Sequence, residues 1–335
     1  MALESGGVVW AMADGGPALP VIDVTQPGFA LADDASANAA LFRAFDEIER
    51  RQARTPRFFA RIMLALAARQ SRLLHALLHP QAGFLNGLST YIMKLGADNL
   101  PPPFNGRVDR RVAAAPPLVS MRLRLQQCAE LLAQGLEDPL RNAPSAPLHL
   151  LNIAGGTAID SLNALILLKR DAPDLLARPI RILVLDIESA APTFGANATA
   201  ALTQEGRALA GLDLTFRHET YDWNQPGALA DVVRVAAAKG AVLAASSEGG
   251  LFEYGSDDAI VSNLSALAGG AAVVVGSVTR ADAMRRDMIA SGKFKLVPRG
   301  VDGFAPLARR AGFALAKVKS TPISDQVLLQ PARLA

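Results

Sequence analysis

Cysteine is almost missing from this chain: Cys128 stands alone among 335 residues. A lone cysteine closes no internal disulfide, so an apolar core must hold the fold, and such usage favours a reducing compartment. Aromatics are sparse at 5%, and neither sign of charge dominates, with 34 Lys and Arg against 31 Asp and Glu. A net charge of +3 is not the footprint of a nucleic-acid-binding surface. No apolar run approaches the roughly 20 residues of a membrane span. The opening "MALESGGVVWAMADGG" lacks the basic stretch and long apolar core of an export signal. These absences lead to the expectation of a cytoplasmic protein with neither membrane nor nucleic acid as partner.

Metal and phosphate motifs are also lacking. His75 and His79 in "HALLH" share a helical face, but a third ligand and the H-E-x-x-H pattern are missing, so no metal is expected. No G-x-x-x-x-G-K-[ST] occurs, which argues against a phosphate-cradling nucleotidase.

Half the residues are apolar, and they are arranged with two different periods. From about residue 36 to 140 apolar side chains recur three and four apart, as in "NAALFRAFDEIERRQ", "RFFARIMLALAARQSRLLHALLH" and "VSMRLRLQQCAELLAQGLE". The break "LPPPFNGRVDRRVAAAPP" forbids one continuous helix. This half reads as an all-α domain, residues 1–142, with one apolar face suited to capping a cleft or pairing two copies as a homodimer. Cys128 falls in one of these helices, where a small buried apolar residue is the ordinary role.

After "RNAPSAP" short β-rich runs alternate with helix-length segments. The runs are "LHLLNI", "IRILVLDI", "LDLTFRHE", "GAVLAAS" and "AAVVVGSV"; apolar on both faces, they indicate a parallel sheet covered by helices. "FALAKVKSTP" and "SDQVLLQPA" have no helix between them and read as an antiparallel pair at the sheet edge. Residues 143–335 therefore form an α/β domain with a seven-stranded, mostly parallel sheet.

In such a sheet ligands lie at the carboxyl ends of the strands, where strand order reverses. Gly155 and Gly156 follow the first run and let backbone approach a ligand closely. Asp186 ends the second, where a carboxylate can take two ribose hydroxyls, with Glu188 two residues on. Asp222 follows the third, beside Trp223, placed to accept an adenine amino group.

Taken together, "NIAGGTA", "LVLDIE", "ETYDW" and "AVLAASSEGGLFEYG" resemble the class I (Rossmann-like) S-adenosylmethionine-dependent methyltransferases over about residues 145–335. The helical half looks like the domains that small-molecule members carry in front of the sheet. Two departures stand out: Asn152 occupies the place of an acid, and the turn is G-G-T-A rather than G-x-G-x-G. The resemblance implies S-adenosylmethionine as cofactor, contacted by Asn152, Ala154, Gly155, Gly156, Asp160, Asp186, Ile187, Tyr221, Asp222, Trp223, Ser246 and Ser247. Within that set, Asp160 stands in for the absent acid. It further implies methyl transfer to oxygen or nitrogen of a small-molecule acceptor.

Two alternatives stay open: a protein that binds this cofactor without transferring methyl, and a nicotinamide-dependent oxidoreductase. The second would want G-x-G-x-x-G, and Asp160 is a poor neighbour for a pyrophosphate.

For acceptor chemistry the stretch "SSEGGLFEYGSDD" is richest. Glu248 is placed first as general base, with His218 and Glu253 behind it, and Tyr254, Tyr91 and Asn105 as substrate contacts. Arg107, Arg110, Arg111, Arg122 and Arg124 read as a solvated or salt-bridged helix face, or else as a grip on an anionic substrate.

Overall fold

The computed structural model describes residues 7–78, 86–282 and 295–332. Its centre is a seven-stranded sheet. The strands are β3 (Leu148–Ile153), β4 (Ile180–Asp186), β5 (Leu214–Thr220), β6 (Val242–Ser247), β7 (Ala271–Thr279), β8 (Phe313–Ser320) and β9 (Ser324–Pro331). Their spatial order is β5-β4-β3-β6-β7-β9-β8. The first five are parallel, and β9 runs antiparallel to both β7 and β8. All seven strands and the antiparallel edge fall where the apolar runs place them.

Burial explains the composition of each strand. β6 is buried throughout and β3 and β4 nearly so, because helices cover both faces of the sheet. β5 is one of the two edge strands; its residues alternate half-buried and exposed, matching the polar-interrupted "LTFRHET". On one face lie α6 (Pro116–Asn142), α7 (Ile159–Asp171) and α8 (Ala190–Leu202); on the other lie α9 (Gly227–Ala238), α11 (Asp257–Ala268) and α12 (Gly300–Arg310). The short α10 (Leu251–Tyr254) follows β6.

The helical half comprises α1 (Ala35–Arg54), α2 (Arg57–Gln70), α3 (Arg72–Leu78), α4 (Gly87–Met93) and α5 (Arg107–Ala113), before α6. The expected boundary at residue 142 does not separate two cores. α6 lies on the sheet: a Cβ at Gly135 would stand 2.8 Å from both Leu328 Cδ1 and Val273 Cγ1. Its buried residues join those of β3 and α7 in one apolar cluster. The helix is thus a layer of the α/β body, and α1 to α5 are the appendage.

A hairpin of β1 (Trp10–Met12) and β2 (Ala18–Pro20) precedes all of this. Three-residue strands are too short for a periodicity to register. The segment is pinned by side chains far along the chain: Asn163 donates to Ile22 O and accepts from Val24 N, and Asn197 donates to Met12 O.

Candidate functional site

Strand order reverses at β3, since the chain proceeds from it to β4 and β5 on one side and returns to β6 and β7 on the other. The crevice beyond the carboxyl ends of β3, β4 and β6 is therefore the place to look for a site. The turn after β3 is unusual in its backbone. Ala154, Gly156 and Ala158 have φ of 52°, 60° and 50°. Left-handed alanine costs about 1–2 kcal/mol per residue, and such strain concentrates at functional sites. Gly155 is obligatory for another reason: a Cβ there would lie 2.2 Å from Asn152 Oδ1.

Asp186, at the end of β4, closes on this turn. Its Oδ2 accepts from Gly156 N at 3.1 Å and its Oδ1 from Glu188 N at 2.9 Å. Burial pushes its carboxyl up, against the downward pull of those two amides and of His218. His218, on β5, gives its ring Nε2 to the Asp186 carbonyl at 2.9 Å; a carbonyl only accepts, so Nε2 carries the proton. Ile187, next in sequence, is 72% exposed.

The end of β5 supplies Tyr221 and Asp222. Tyr221 is buried, with its hydroxyl on Asn263 Oδ1, and burial raises its phenol. Asp222 accepts from both the backbone and side-chain nitrogens of Asn224, forming an Asx turn. Trp223 is half-buried against the second apolar cluster.

Beneath the turn lies a buried polar layer. Asn152 Nδ2 donates to Asp160 Oδ1 at 2.8 Å and to Ser246 Oγ at 3.0 Å. Asn152 Oδ1 and Asp160 Oδ2 are buried without a hydrogen-bond partner. Burial raises the Asp160 carboxyl, and the nearby Glu248 charge adds to the rise. Burial without a cation partner disfavours the charged form of this carboxyl. Ser247 Oγ accepts from Leu251 N and fixes the entry into α10.

Past β6 the layer becomes ionic. Glu248 receives Lys94 Nζ on one carboxylate oxygen and Arg124 Nε on the other. Arg124 also reaches Glu253, at 3.1 and 3.3 Å. All four residues are at most 5% exposed. Burial alone would push Glu248 up, yet Arg124 and Lys94 hold its carboxyl below the usual range; in Glu253 burial prevails over Arg124 and the carboxyl is raised. The two glutamates are thus driven apart in acidity by their surroundings. Burial also pushes up the Tyr254 phenol on the same short helix.

Tyr91, Asn105 and the arginines of the helical half are placed as follows. Tyr91 is 1% exposed; its hydroxyl donates to Pro20 O and accepts from Ile22 N, and its ring lies 4.7 Å from that of Phe194. It ties the N-terminal hairpin to the body. Asn105 is exposed on the Pro-rich break, where its carbonyl accepts from Arg110. Arg124 is buried and ion-paired, while Arg107, Arg110 and Arg111 are exposed and Arg122 half-buried.

Lys94 and Gly87 were not foreseen. Lys94 is the sole cation in the apolar stretch "TYIMKLGA", a signal for a buried partner. At the start of α4, a Cβ on Gly87 would meet Ala191 Cβ at 2.7 Å and Gly156 Cα at 3.4 Å. Gly87 N also donates to Glu188 Oε2 at 3.2 Å. The appendage therefore rests directly on the glycine turn. A surface cavity of about 310 Å³ lies elsewhere, against α6 and α7, lined in part by Val24, Glu130 and Asp171.

Among the described residues no group of three His, Cys, Asp or Glu is placed to hold a metal, and no helix is long and apolar enough to cross a membrane. His79 lies outside the described residues.

No protein-family model and no curated relative matches the chain. Solved structures do. A possible exported protein from Bordetella parapertussis aligns over 92% of this chain and 99% of its own, at 15% identity and a TM-score of 0.56. The fold is Rossmann-like. A magnesium protoporphyrin IX methyltransferase from Synechocystis PCC 6803, with bound SAH, covers 64% of this chain and 87% of its own at 14% identity and TM-score 0.42. An O-methyltransferase family protein from Burkholderia thailandensis covers 68% and 60%, at 15% identity and TM-score 0.40. At such identities the likeness is one of Rossmann-like architecture, and the two lower scores bear no further weight.

Proposed function

We propose that this chain is an S-adenosylmethionine-dependent methyltransferase acting on oxygen or nitrogen of a small molecule. The observation that carries the reading is the closure of Asp186 on Gly156 at the reversal of strand order. Each Asp186 oxygen receives one backbone amide and keeps acceptor capacity, so a diol donating two hydroxyls fits there. Ile187 beside it offers an exposed apolar surface for a flat ring, and Asp222 stands one strand further along. Gly87 fills the space over Gly156, so the ligand lies beside that contact, toward Asp186 and Tyr221, or displaces the first turn of α4.

The cofactor would supply an electrophilic methyl group, which leaves the protein the tasks of aligning the acceptor and excluding water. Glu248 is a poor general base while two cations hold its carboxylate. We assign it to bracing: Lys94 at the end of α4 and Arg124 on α6 are drawn by it to the carboxyl end of β6, which fixes the wall facing the acceptor. Tyr254 and Glu253 stand at that wall, and a cytoplasmic setting suits the reading.

The test is titration calorimetry with S-adenosylmethionine and S-adenosylhomocysteine on wild type and Asp186→Ala, with the fold followed by circular dichroism. Micromolar binding by the wild type, weakened at least tenfold in the folded variant, supports the reading. Binding of NADH in place of either ligand refutes it. Bound cofactor without S-adenosylhomocysteine release across an acceptor panel favours the non-transferring alternative.

A further inference from the structure

Helix α2 is the anomaly of the surface. Phe58, Phe59, Ile62, Met63, Leu64 and Leu66 are 70%, 60%, 43%, 68%, 42% and 51% exposed. A surface helix ordinarily buries its apolar stripe against the body. Here the described residues are covered only near the C-terminal end, at Ala67 and Ala68. At about 100° per residue, Phe58, Ile62, Leu66, Phe59 and Met63 fall within one arc of roughly 140°. A contiguous patch of this size marks an interaction site.

Charge decides what the partner is. Between Glu49 and Asp98 the sequence has no carboxylate, while Arg54, Arg57, Arg61, Arg69 and Arg72 fall on or beside α2. Arg69 falls within the apolar arc, and Arg54 and Arg72 precede and follow the helix, so two copies meeting through this face would bring six of these guanidinium groups together, which disfavours a second copy. A polyanion in water would meet the arginines but gain nothing from two phenylalanines, a methionine, an isoleucine and two leucines. An apolar face flanked by arginine matches one environment best: the boundary between anionic headgroups and acyl chains.

We propose that α2 is an interfacial helix that docks this protein on anionic lipid surfaces, its apolar arc entering the acyl boundary and its arginines meeting the headgroups. Nothing in this docking crosses the bilayer, and it is independent of the chemistry at the carboxyl ends of the strands. Its effect is to hold the appendage against the surface while the α/β body remains in water.

Co-sedimentation of the full chain with vesicles tests it, comparing phosphatidylcholine alone with equal parts phosphatidylcholine and phosphatidylglycerol. Two variants accompany the wild type: Phe58→Ser/Phe59→Ser/Met63→Ser, and Arg54→Gln/Arg69→Gln. All five positions are exposed, so thermal unfolding should match the wild type. The expected result is binding to the anionic vesicles only, reduced about fivefold for each arginine removed and lost in the triple serine variant. Equal binding by the triple variant would reduce the effect to charge and overturn the proposal. So would the absence of vesicle binding, whether the protein is a monomer or a dimer that the serine substitutions dissolve in light scattering.

Discussion

Replacing Glu248 by Gln should destabilise the protein sharply, and replacing Lys94 by Met as well should return part of the loss. Glu248→Gln takes one negative charge from a buried set of two cations and two carboxylates. Arg124 keeps Glu253, but Lys94 loses the carboxylate it meets. Breaking one side of a buried pair costs about 3–5 kcal/mol, because the surviving charge stays out of water. At about 2.1 cal/mol/K per residue, 335 residues unfold with an entropy of about 0.7 kcal/mol/K, so the midpoint should fall by about 4–7 °C. Lys94→Met alone leaves Glu248 on Arg124 and should cost about 1–3 kcal/mol. In the double variant Arg124 faces only Glu253, the set is neutral again, and stability should exceed that of Glu248→Gln by about 2 kcal/mol.

Urea unfolding at pH 7 with a common slope measures all four corners of this cycle. Additivity of the two substitutions within about 0.5 kcal/mol would refute the claim that Lys94 and Glu248 are one unit. The pH dependence carries its own sign. Glu248 is held low in the folded state, so its contribution is complete above the unfolded carboxylate range and is lost as pH falls through the folded value. Glu248→Gln should therefore flatten the acid limb of the stability profile.

Asp160 should show the opposite sign: an acid raised on folding costs stability as pH climbs from the unfolded value through the folded one. Asp160→Asn, which does not titrate, should remove that decline in denaturant titrations from acid to alkaline pH; an unchanged decline would place its origin elsewhere. Ala154→Gly relieves a left-handed alanine at a half-buried position and should raise the unfolding free energy by about 1 kcal/mol, whereas a loss would mean that the methyl is needed. Gly135→Val, pressed between Leu328 and Val273, should cost about 1–3 kcal/mol by overpacking, and a neutral result would show that α6 does not bear on the sheet as described.

What the sequence disclosed and what it withheld divide along a physical line. Every strand of the sheet was legible because its apolar run is local and uninterrupted, and the antiparallel edge because no helix-length segment intervenes before "SDQVLLQPA". The glycine turn and Asp186 were legible for the same reason, each lying at the end of a recognisable strand. α6 was legible as a helix but not as a layer of the sheet body: its periodicity says that one face is buried and leaves open against what. Gly135, where β7 and β9 press on the helix, is silent in a one-dimensional pattern.

The ion pairs of Glu248 were hidden for the same reason. A glutamate beyond a strand end looks like a base because its own neighbours leave it unpaired. The groups that fix its charge, Lys94 and Arg124, stand 154 and 124 positions earlier and reach it only when α4 and α6 bring them to the carboxyl end of β6. A carboxylate's role depends on which charges share its low-dielectric surroundings, and those arrive from elements whose local pattern records burial and nothing of partner. Asp160 obeys the same argument in reverse: with Asn152 rather than a cation beside it, burial raises its carboxyl. Two acids that look alike in the chain are therefore driven to opposite protonation preferences by the packing of the helical layer.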